Sequence, residues 1–408
     1  MNSPIAIYVH LPWCVSKCPY CDFNSHARPE NLPETEYVAA LLADLEGDLD
    51  LAAGREVTSV FLGGGTPSLF GVPAIAALLE GLATHLPFAP SAEITMEANP
   101  GTIEHGRFAG YAKAGINRVS LGAQSFDAGM LRTLGRIHGP GEIAAAVAEL
   151  VAAGLDNFNL DLMYALPNQT RDGALADLEA AIALGPTHLS HYQLTLEPGT
   201  VFYRRPPVLP DDELAFEMQL DCQARLAEAG FAQYEISAYA RTGRQCRHNL
   251  NYWRFGDYLG IGAGAHGKAT VDGAVVRTEK PRSPRAYLEG GGRQAAIRRT
   301  VPVSELPFEF MLNALRLSEG FAIADFGRAT ALPAAMVLPK LRDSAARGLM
   351  VEQSGRFRAS GLGFRFLNDL MAGFLPEENA RRTPGELYTA PSRQVSDRDF
   401  RRFVSEVP

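Results

Sequence analysis

Six short β-branched runs alternate with Ala/Leu-rich stretches along the first half of the chain, and this rhythm restricts the fold more than any other feature. The runs are Ile5–Leu11, Val57–Leu62, Glu93–Ala98, Arg118–Gly122, Phe158–Met163 and His188–Thr195. Helical patterns lie between them near Glu34–Ala53, Pro73–His85, Glu104–Ala114, Gly139–Ala153 and Arg171–Leu184, and another spans Asp211–Ala229. Pro73 suits a first helical turn, and Gly115, Gly154 and Gly185 each follow a helical pattern as C-terminal caps do. Apolar strands alternating with helices imply an α/β fold with a parallel sheet covered by helices. Six units fit a partial (β/α)6 barrel; a closed eight-unit barrel and a doubly wound open sheet are the alternatives. In each of these, chemistry belongs at the C-terminal ends of the strands.

Three of the five cysteines follow the first strand, in Cys14-Val-Ser-Lys-Cys18-Pro-Tyr20-Cys21. A disulfide would leave one thiol over. A zinc site would need a fourth ligand; His26 is one candidate, but the spacing fits no common finger. Three thiolates on one loop suit an iron–sulfur cluster with one iron left open. Gly63-Gly64-Gly65-Thr66-Pro67 ends the second run, where missing side chains let a ligand reach the backbone. A tight βα turn is the plainer reading of that stretch. Carboxylates stand in the strands at Glu97 and Asp161, and a charge there is costly unless paired. Structural ion pairs and ligand contact both account for them.

The cysteine spacing, with the aromatic Tyr20 before the last thiol, resembles the signature of the radical S-adenosylmethionine (SAM) superfamily. The resemblance implies the partial barrel, a [4Fe-4S] cluster on Cys14, Cys18 and Cys21, and SAM chelating the open iron. In that family, electron transfer from the cluster breaks a sulfonium C–S bond and yields a 5′-deoxyadenosyl radical, while the protein positions the cofactor. Motif by motif, it implies that Tyr8, Gly64, Gly65, Thr66, Glu97, Gln124, Arg136 and Asp161 contact SAM, with Tyr20 beside the cluster. Arg136 suits the SAM carboxylate, since a planar fork gives two hydrogen bonds.

Within the superfamily, the chain resembles the branch that holds oxygen-independent coproporphyrinogen III oxidase and the HemW-type heme chaperones, and is nearer the chaperones. The oxidase has a further cysteine where Phe23 stands, and a sizeable extension before its first cysteine. His248-Asn249-Leu250-Asn251-Tyr252-Trp253 matches the chaperone pattern His-Asn-x-x-Tyr-Trp, which is associated with heme binding. A neutral imidazole is a good axial ligand, so His248 is the candidate, with Cys246 as a rival. Arg244, Arg247 and Arg254 flank the motif and suit heme propionates. A hydrogen-bonded His248 among ordinary core aromatics is the bland alternative. The resemblance implies heme delivery to acceptor apoproteins, respiratory enzymes among them, without robust oxidase activity. Oxidative decarboxylation of coproporphyrinogen III is the second reading.

Net charge is −8, which argues against nucleic acid as the main partner. Ile5–Leu11 is too short for a signal or spanning helix. The expectation is a cytoplasmic protein, with peripheral membrane contact and a dimer both left open. Four regions are expected. Residues 1–230 form the barrel. Residues 231–300 form an irregular extension, Gly-rich over Tyr258–Gly267, strand-like over Tyr234–Tyr239 and loop-like over Arg277–Arg293. Residues 301–375 form a winged-helix-like domain with a hairpin over Leu349–Ala359 and a helix over Phe364–Phe374. Residues 376–408 form a polar tail. Residues 300–375 hold eight Lys/Arg against seven Asp/Glu, too little positive charge for phosphate binding.

Overall fold

The computed structural model describes residues 3–101, 106–293 and 297–376. The expected polar tail and the start of the expected Glu104–Ala114 helix lie outside these. Six parallel strands run through the first half: β1 (Ile5–Leu11), β2 (Val57–Gly64), β3 (Phe88–Ala98), β4 (Arg118–Gln124), β5 (Phe158–Tyr164) and β6 (His188–Gln193). Helices Glu34–Gly47, Val72–His85, Phe108–Ala114, Pro140–Ala152 and Arg171–Ala183 connect them. The sheet is an open partial (β/α)6 barrel with further strands at both edges. These are β7 (Ala232–Gln233), β8 (Ala238–Ala240), β9 (Asp257–Ile261), β10 (His266–Val271), β11 (Ala274–Glu279) and β12 (Ile297–Thr300). The order is β12-β11-β10-β9-β1-β2-β3-β4-β5-β6-β8-β7.

Side-chain alternation explains why this sheet has two unlike faces. Ile5, Ile7, Val9, Val60, Leu62, Met96, Val119, Leu121, Leu160 and Leu162 point to the helices and form one buried core. Each fully buried aliphatic side chain of this kind stabilises the fold by about 1.5–3 kcal/mol. The opposite face is polar. Ser120 is in register with Asn159, and Asp161 with Ser190. Asn159 donates to Ser120 Oγ (2.7 Å) and to Asp161 Oδ1 (2.8 Å). His188 Nδ1 is hydrogen-bonded with Asn159 Oδ1 (2.6 Å). The strands are therefore apolar on one face only, with a hydrogen-bonded polar interior.

The extension is more regular than its sequence implies. The Gly-rich stretch forms the seventh parallel strand, β9, beside β1, followed by the antiparallel β10. Gly260 packs so closely on His266 that a Cβ would lie 1.8 Å from its carbonyl oxygen, so glycine here serves sheet packing. The stretch expected as a loop after Arg277 contains the end of β11 and the helix Pro284–Glu289. Of the stretch expected as strand over Tyr234–Tyr239, only Ala238–Ala240 forms one. Buried charges fix this layer. Asp257 meets Arg55 at 2.6 Å and Lys268 at 2.5 Å; Lys280 meets Asp44 at 2.5 Å and Asp48 at 2.6 Å.

A second core gathers Phe310, Phe321, Phe326, Leu341, Phe357 and Met371. A three-stranded sheet orders Phe321–Ala322, Arg356–Ala359 and Met350–Gln353, the last two joined at Ser354 and Gly355. The final helical stretch breaks into Gly361–Arg365 and Leu367–Ala372. Arg277 and Glu309, 2.5 Å apart, tie β11 to the helix Leu306–Ala314.

Candidate functional site

The loop after β1 is held by backbone bonds at both ends. Trp13–Cys14 pairs in parallel with His26–Ala27, and Cys21 N–H donates to the Cys18 carbonyl (3.2 Å). Asn24 Nδ2 donates to the carbonyls of Ala263 and Arg282 (2.9 Å each), fastening the loop to the extension. His26 Nε2 is hydrogen-bonded with Asn24 Oδ1 (3.3 Å).

Cys14, Cys18 and Cys21 are free thiols, each half-buried, and all three line one cavity of about 680 Å³. Among the described residues, no three Cys, His, Asp or Glu groups lie close enough to hold one metal ion. A cluster with several irons spreads its thiolate ligands, so this donor set suits a cluster better than a single ion. Each sulfur has a polar neighbour: Thr66 Oγ1 donates to Cys14 Sγ (3.6 Å), Arg136 Nη1 to Cys18 Sγ (3.7 Å), and Ser25 Oγ lies 3.8 Å from Cys21 Sγ. Burial pushes the Cys14 thiol up and the Cys21 thiol up to about 11. A positive centre must therefore offset desolvation before both become thiolates.

The strand ends supply the rest of the cavity, as the fold class requires. Gly64, Gly65, Thr66, Glu97, Gln124, Arg136 and Asp161 all line it, and so does Tyr20. The glycines are demanded first by packing. Gly64 has φ +107°, and a Cβ there would lie 2.4 Å from the His10 ring; one on Gly65 would lie 2.6 Å from the Trp13 carbonyl oxygen. Gly64 N–H donates to Glu97 Oε2 (3.1 Å). Burial, with the charge of Asp161 behind it, pushes the Glu97 carboxyl up to about 8. Burial likewise raises Asp161, against hydrogen bonds from Asn159, Ser190 and Ser120. Gln124 sits at φ +68°, rare for a residue with a side chain, and accepts from Tyr192 OH (2.7 Å).

Arg136 Nη2 donates to the Gly122 carbonyl (2.7 Å) and to Asn99 Oδ1. Asn99 Nδ2 passes the chain to Thr66 Oγ1 (2.9 Å) and so to Cys14. Asn99, Ser120, Ser190 and Tyr192 are cavity residues the sequence reasoning missed. Their signal was positional: Asn99 lies two residues after Glu97 and Tyr192 next to the end of β6, while Ser120 and Ser190 share the strand face of Gln124 and Asp161.

Two residues expected at ligands stand apart from the cavity lining. Tyr8 does not line the cavity. Its hydroxyl is hydrogen-bonded with His10 Nδ1 (3.0 Å), and its ring lies 6.4 Å from Phe61 and 6.5 Å from His248. His248 is 0% exposed and both ring nitrogens are engaged, Nδ1 with Ser59 Oγ (3.1 Å) and Nε2 with Tyr252 OH (2.9 Å). Burial holds it neutral, with its pKa lowered to about 3. It offers no nitrogen to an iron in this arrangement. The helix Arg247–Trp253 carries it there because Glu93 Oε1 accepts from the backbone N–H groups of Arg247 (2.9 Å) and His248 (3.3 Å), a carboxylate at the positive helix end. Cys246 lies against the same carboxylate, and burial lifts its thiol to about 12. Arg247 donates to the Ser91 carbonyl and Arg254 pairs with Glu319, so neither lines the cavity. Asn249 and Trp253 of the same segment do line it.

Residues 8–181 match the model of the Radical SAM superfamily, and residues 301–366 that of the HemN C-terminal domain. "Heme chaperone HemW" of Escherichia coli K12 is 50% identical over 92% of this chain and 99% of its own length. The chain belongs to the HemW family. The HemW of Haemophilus influenzae is 47% identical over 92% and 99%, and that of Mycobacterium tuberculosis H37Rv 38% over 90% and 94%. Among solved structures, coproporphyrinogen III oxidase (HemN) from Escherichia coli superposes with a TM-score of 0.77 over 91% of this chain and 90% of that one. At 21% identity this likeness concerns the fold. HemW family membership and the HemN-like fold agree with an α/β partial barrel followed by a C-terminal helical domain. No helix among the described residues is long and apolar enough to cross a membrane.

Proposed function

We propose that this protein is a heme chaperone that binds heme and passes it to acceptor apoproteins, under the control of a [4Fe-4S] cluster and SAM. The observation that carries the reading is the near-full-length match to proteins named heme chaperone HemW. The cavity supports it, because it joins the three thiols to the His-Asn-x-x-Tyr-Trp segment through Asn249 and Trp253. Bound at the tripod of Cys14, Cys18 and Cys21, the cluster would supply an electron and an open iron for SAM.

The chain's own residues define what is held. Arg136 offers a cationic fork already braced by Asn99 and the Gly122 carbonyl. Asp161 and Glu97 are acceptors for hydroxyl or ammonium groups, and a bound ammonium would draw Glu97 back to its ionised form. Gly64 and Gly65 expose backbone where a side chain would intrude. Phe23, 43% exposed at the cavity wall, gives an apolar surface where the oxidase branch has a cysteine. No observation here favours the oxidase reading over the chaperone.

The same reading places the protein in the cytoplasm, with respiratory apoproteins at the membrane surface among its acceptors. Heme engages the segment through Asn249 and Trp253, and not through His248 Nε2. The test is anaerobic hemin titration of protein with a reconstituted cluster, followed by transfer to an apoprotein. A Soret shift in the wild type is expected, with hemin affinity unchanged in folded His248→Ala. An unchanged hemin spectrum in the wild type sinks the proposal.

A further inference from the structure

One wall of the cavity is built from elements that the SAM motifs do not include. Glu235 and Ser237 come from the turn before β8, Asn249 and Trp253 from the helix Arg247–Trp253, and Arg316 follows the helix Leu306–Ala314. Three polar atoms in this wall are buried and have no hydrogen-bond partner: Asn249 Oδ1, Trp253 Nε1 and Arg316 Nε. An unmade bond at such a site is costly, and three in one wall call for a ligand. Trp253 is only 4% exposed, so bulk water does not satisfy its N–H.

The chemistry of the missing group follows from the inventory. Indole N–H and guanidinium N–H groups only donate, so the partner is an acceptor. Asn249 adds a donor when its amide is turned over, since the O and N positions are interchangeable in shape. The guanidinium of Arg316 lies 4.3 Å above the Trp253 ring, which holds the two donors side by side. Among the described residues its anionic partner is Glu235, reached by Nη2 at 3.4 Å. Burial lowers the Arg316 pKa and Glu235 only partly restores it. With Glu235 already beside this one guanidinium, a phosphate dianion would bring two uncompensated charges into a buried wall. A carboxylate brings one charge and two oxygens, matched in number by the unpartnered N–H groups of Trp253 and Arg316.

We propose that Arg316, Trp253 and Asn249 form a carboxylate-binding subsite, and that it takes one propionate carboxylate of the porphyrin. This rests on the heme-chaperone reading above. It moves recognition of the acidic edge of heme from Arg244, Arg247 and Arg254 to a residue contributed from beyond the barrel.

The probes are hemin and hemin dimethyl ester, which keeps the iron and macrocycle but has no free carboxylate. Both are titrated into the anaerobic, cluster-loaded protein, and SAM affinity is measured in parallel. The wild type should bind hemin about tenfold more tightly than the ester, the scale of charge-assisted hydrogen bonds. Trp253→Phe keeps the ring and removes only the N–H; Arg316→Gln removes the charge. Each should weaken hemin about three- to tenfold and leave the ester and SAM unchanged. Should Arg316→Gln misfold, with Glu235 left unpaired, Trp253→Phe still decides the matter. Equal affinity for hemin and ester in the wild type overturns the subsite while the chaperone reading stands. A loss of SAM affinity with hemin unaffected assigns the wall to the SAM carboxylate and also overturns it. Binding of neither porphyrin removes the chaperone reading, and the subsite with it.

Discussion

The cavity at the strand ends and the pocket around His248 are both polar, and they differ in how far their hydrogen bonds are satisfied. Around His248, each ring nitrogen has a partner, and Glu93 caps the helix that carries it. At the cavity, the sulfurs have only long, weak contacts, Gln124 is held at a positive φ, and Trp253 and Arg316 keep unpartnered donors. The His248 ring is satisfied without a ligand, although Arg118 Nε near it is buried and unpartnered; the cavity wall leaves three such atoms on neighbouring side chains. A motif can straddle that divide. Within His248–Trp253, the histidine belongs to the finished region, and Asn249 and Trp253 face the unfinished one.

The sharpest break of this comparison is at the thiols. Cys14→Ala, Cys18→Ala and Cys21→Ala should each abolish the cluster, read as iron and sulfide content after anaerobic reconstitution. The melting of the metal-free protein should shift by no more than about 1 kcal/mol, because the side chains are half-buried and weakly bonded. Acid should act on the finished region instead. His248, with its pKa lowered to about 3, is neutral when folded and titrates near 6.5 when unfolded; His191, stacked on Tyr164 in strand β6 and lowered to about 4, acts in the same direction from outside that region. The unfolded chain then binds more protons, so their contribution is intact above about pH 6.5 and is lost as pH falls toward the folded values. Each removes up to about 1.4 kcal/mol per pH unit, which denaturant titrations from pH 7 to pH 5 would detect.

His248→Ala comes next. It strands Ser59 and the Tyr252 hydroxyl and opens a cavity beside Phe61, at a cost of about 2–4 kcal/mol by chemical denaturation. Cluster content should stay at the wild-type level. Glu97→Gln is the smallest effect and has the opposite sign. The folded state raises Glu97 from 4.5 to about 8, so stability falls as pH rises through that window. The amide removes this penalty, and the metal-free variant should gain about 1–2 kcal/mol at pH 8, after discounting for partial exposure, and nothing near pH 4. A thermal-melt series in pH would measure both.

The alternation of apolar runs was enough to place the six parallel strands, because outward-facing Ile, Val and Leu recur at every second position and Gly115, Gly154 and Gly185 end the helices as they should. The cysteines, Thr66, Glu97 and Gln124 sit at or just after the ends of parallel strands, whereas Arg136, beyond a helix, and Asp161, in mid-strand, were reached only through the family resemblance. Asn99 and Tyr192 were missed, since a neutral amide or phenol carries no charge signal and its role depends on partners distant in sequence. The place of Tyr8 in the first strand does not show which neighbours cover it, and in the structure these are His10, Phe61 and His248. The seventh parallel strand, Asp257–Ile261, was hidden by glycines that read as loop; Gly260 is required by its packing on His266 and Gly262 by its approach to the His10 backbone. Arg316 was out of reach for the same reason, its partner ring lying far back in the chain.

The bonds from Asn24 to the carbonyls of Ala263 and Arg282 set an order of events during synthesis. The sulfur-bearing loop leaves the ribosome early, yet its anchors are translated more than two hundred residues later. Until they emerge, the thiol loop has its own backbone pairing but lacks its fastening to the extension. A chain stopped short of Asp257 should therefore retain less iron after anaerobic reconstitution than the full chain, read as iron and sulfide content.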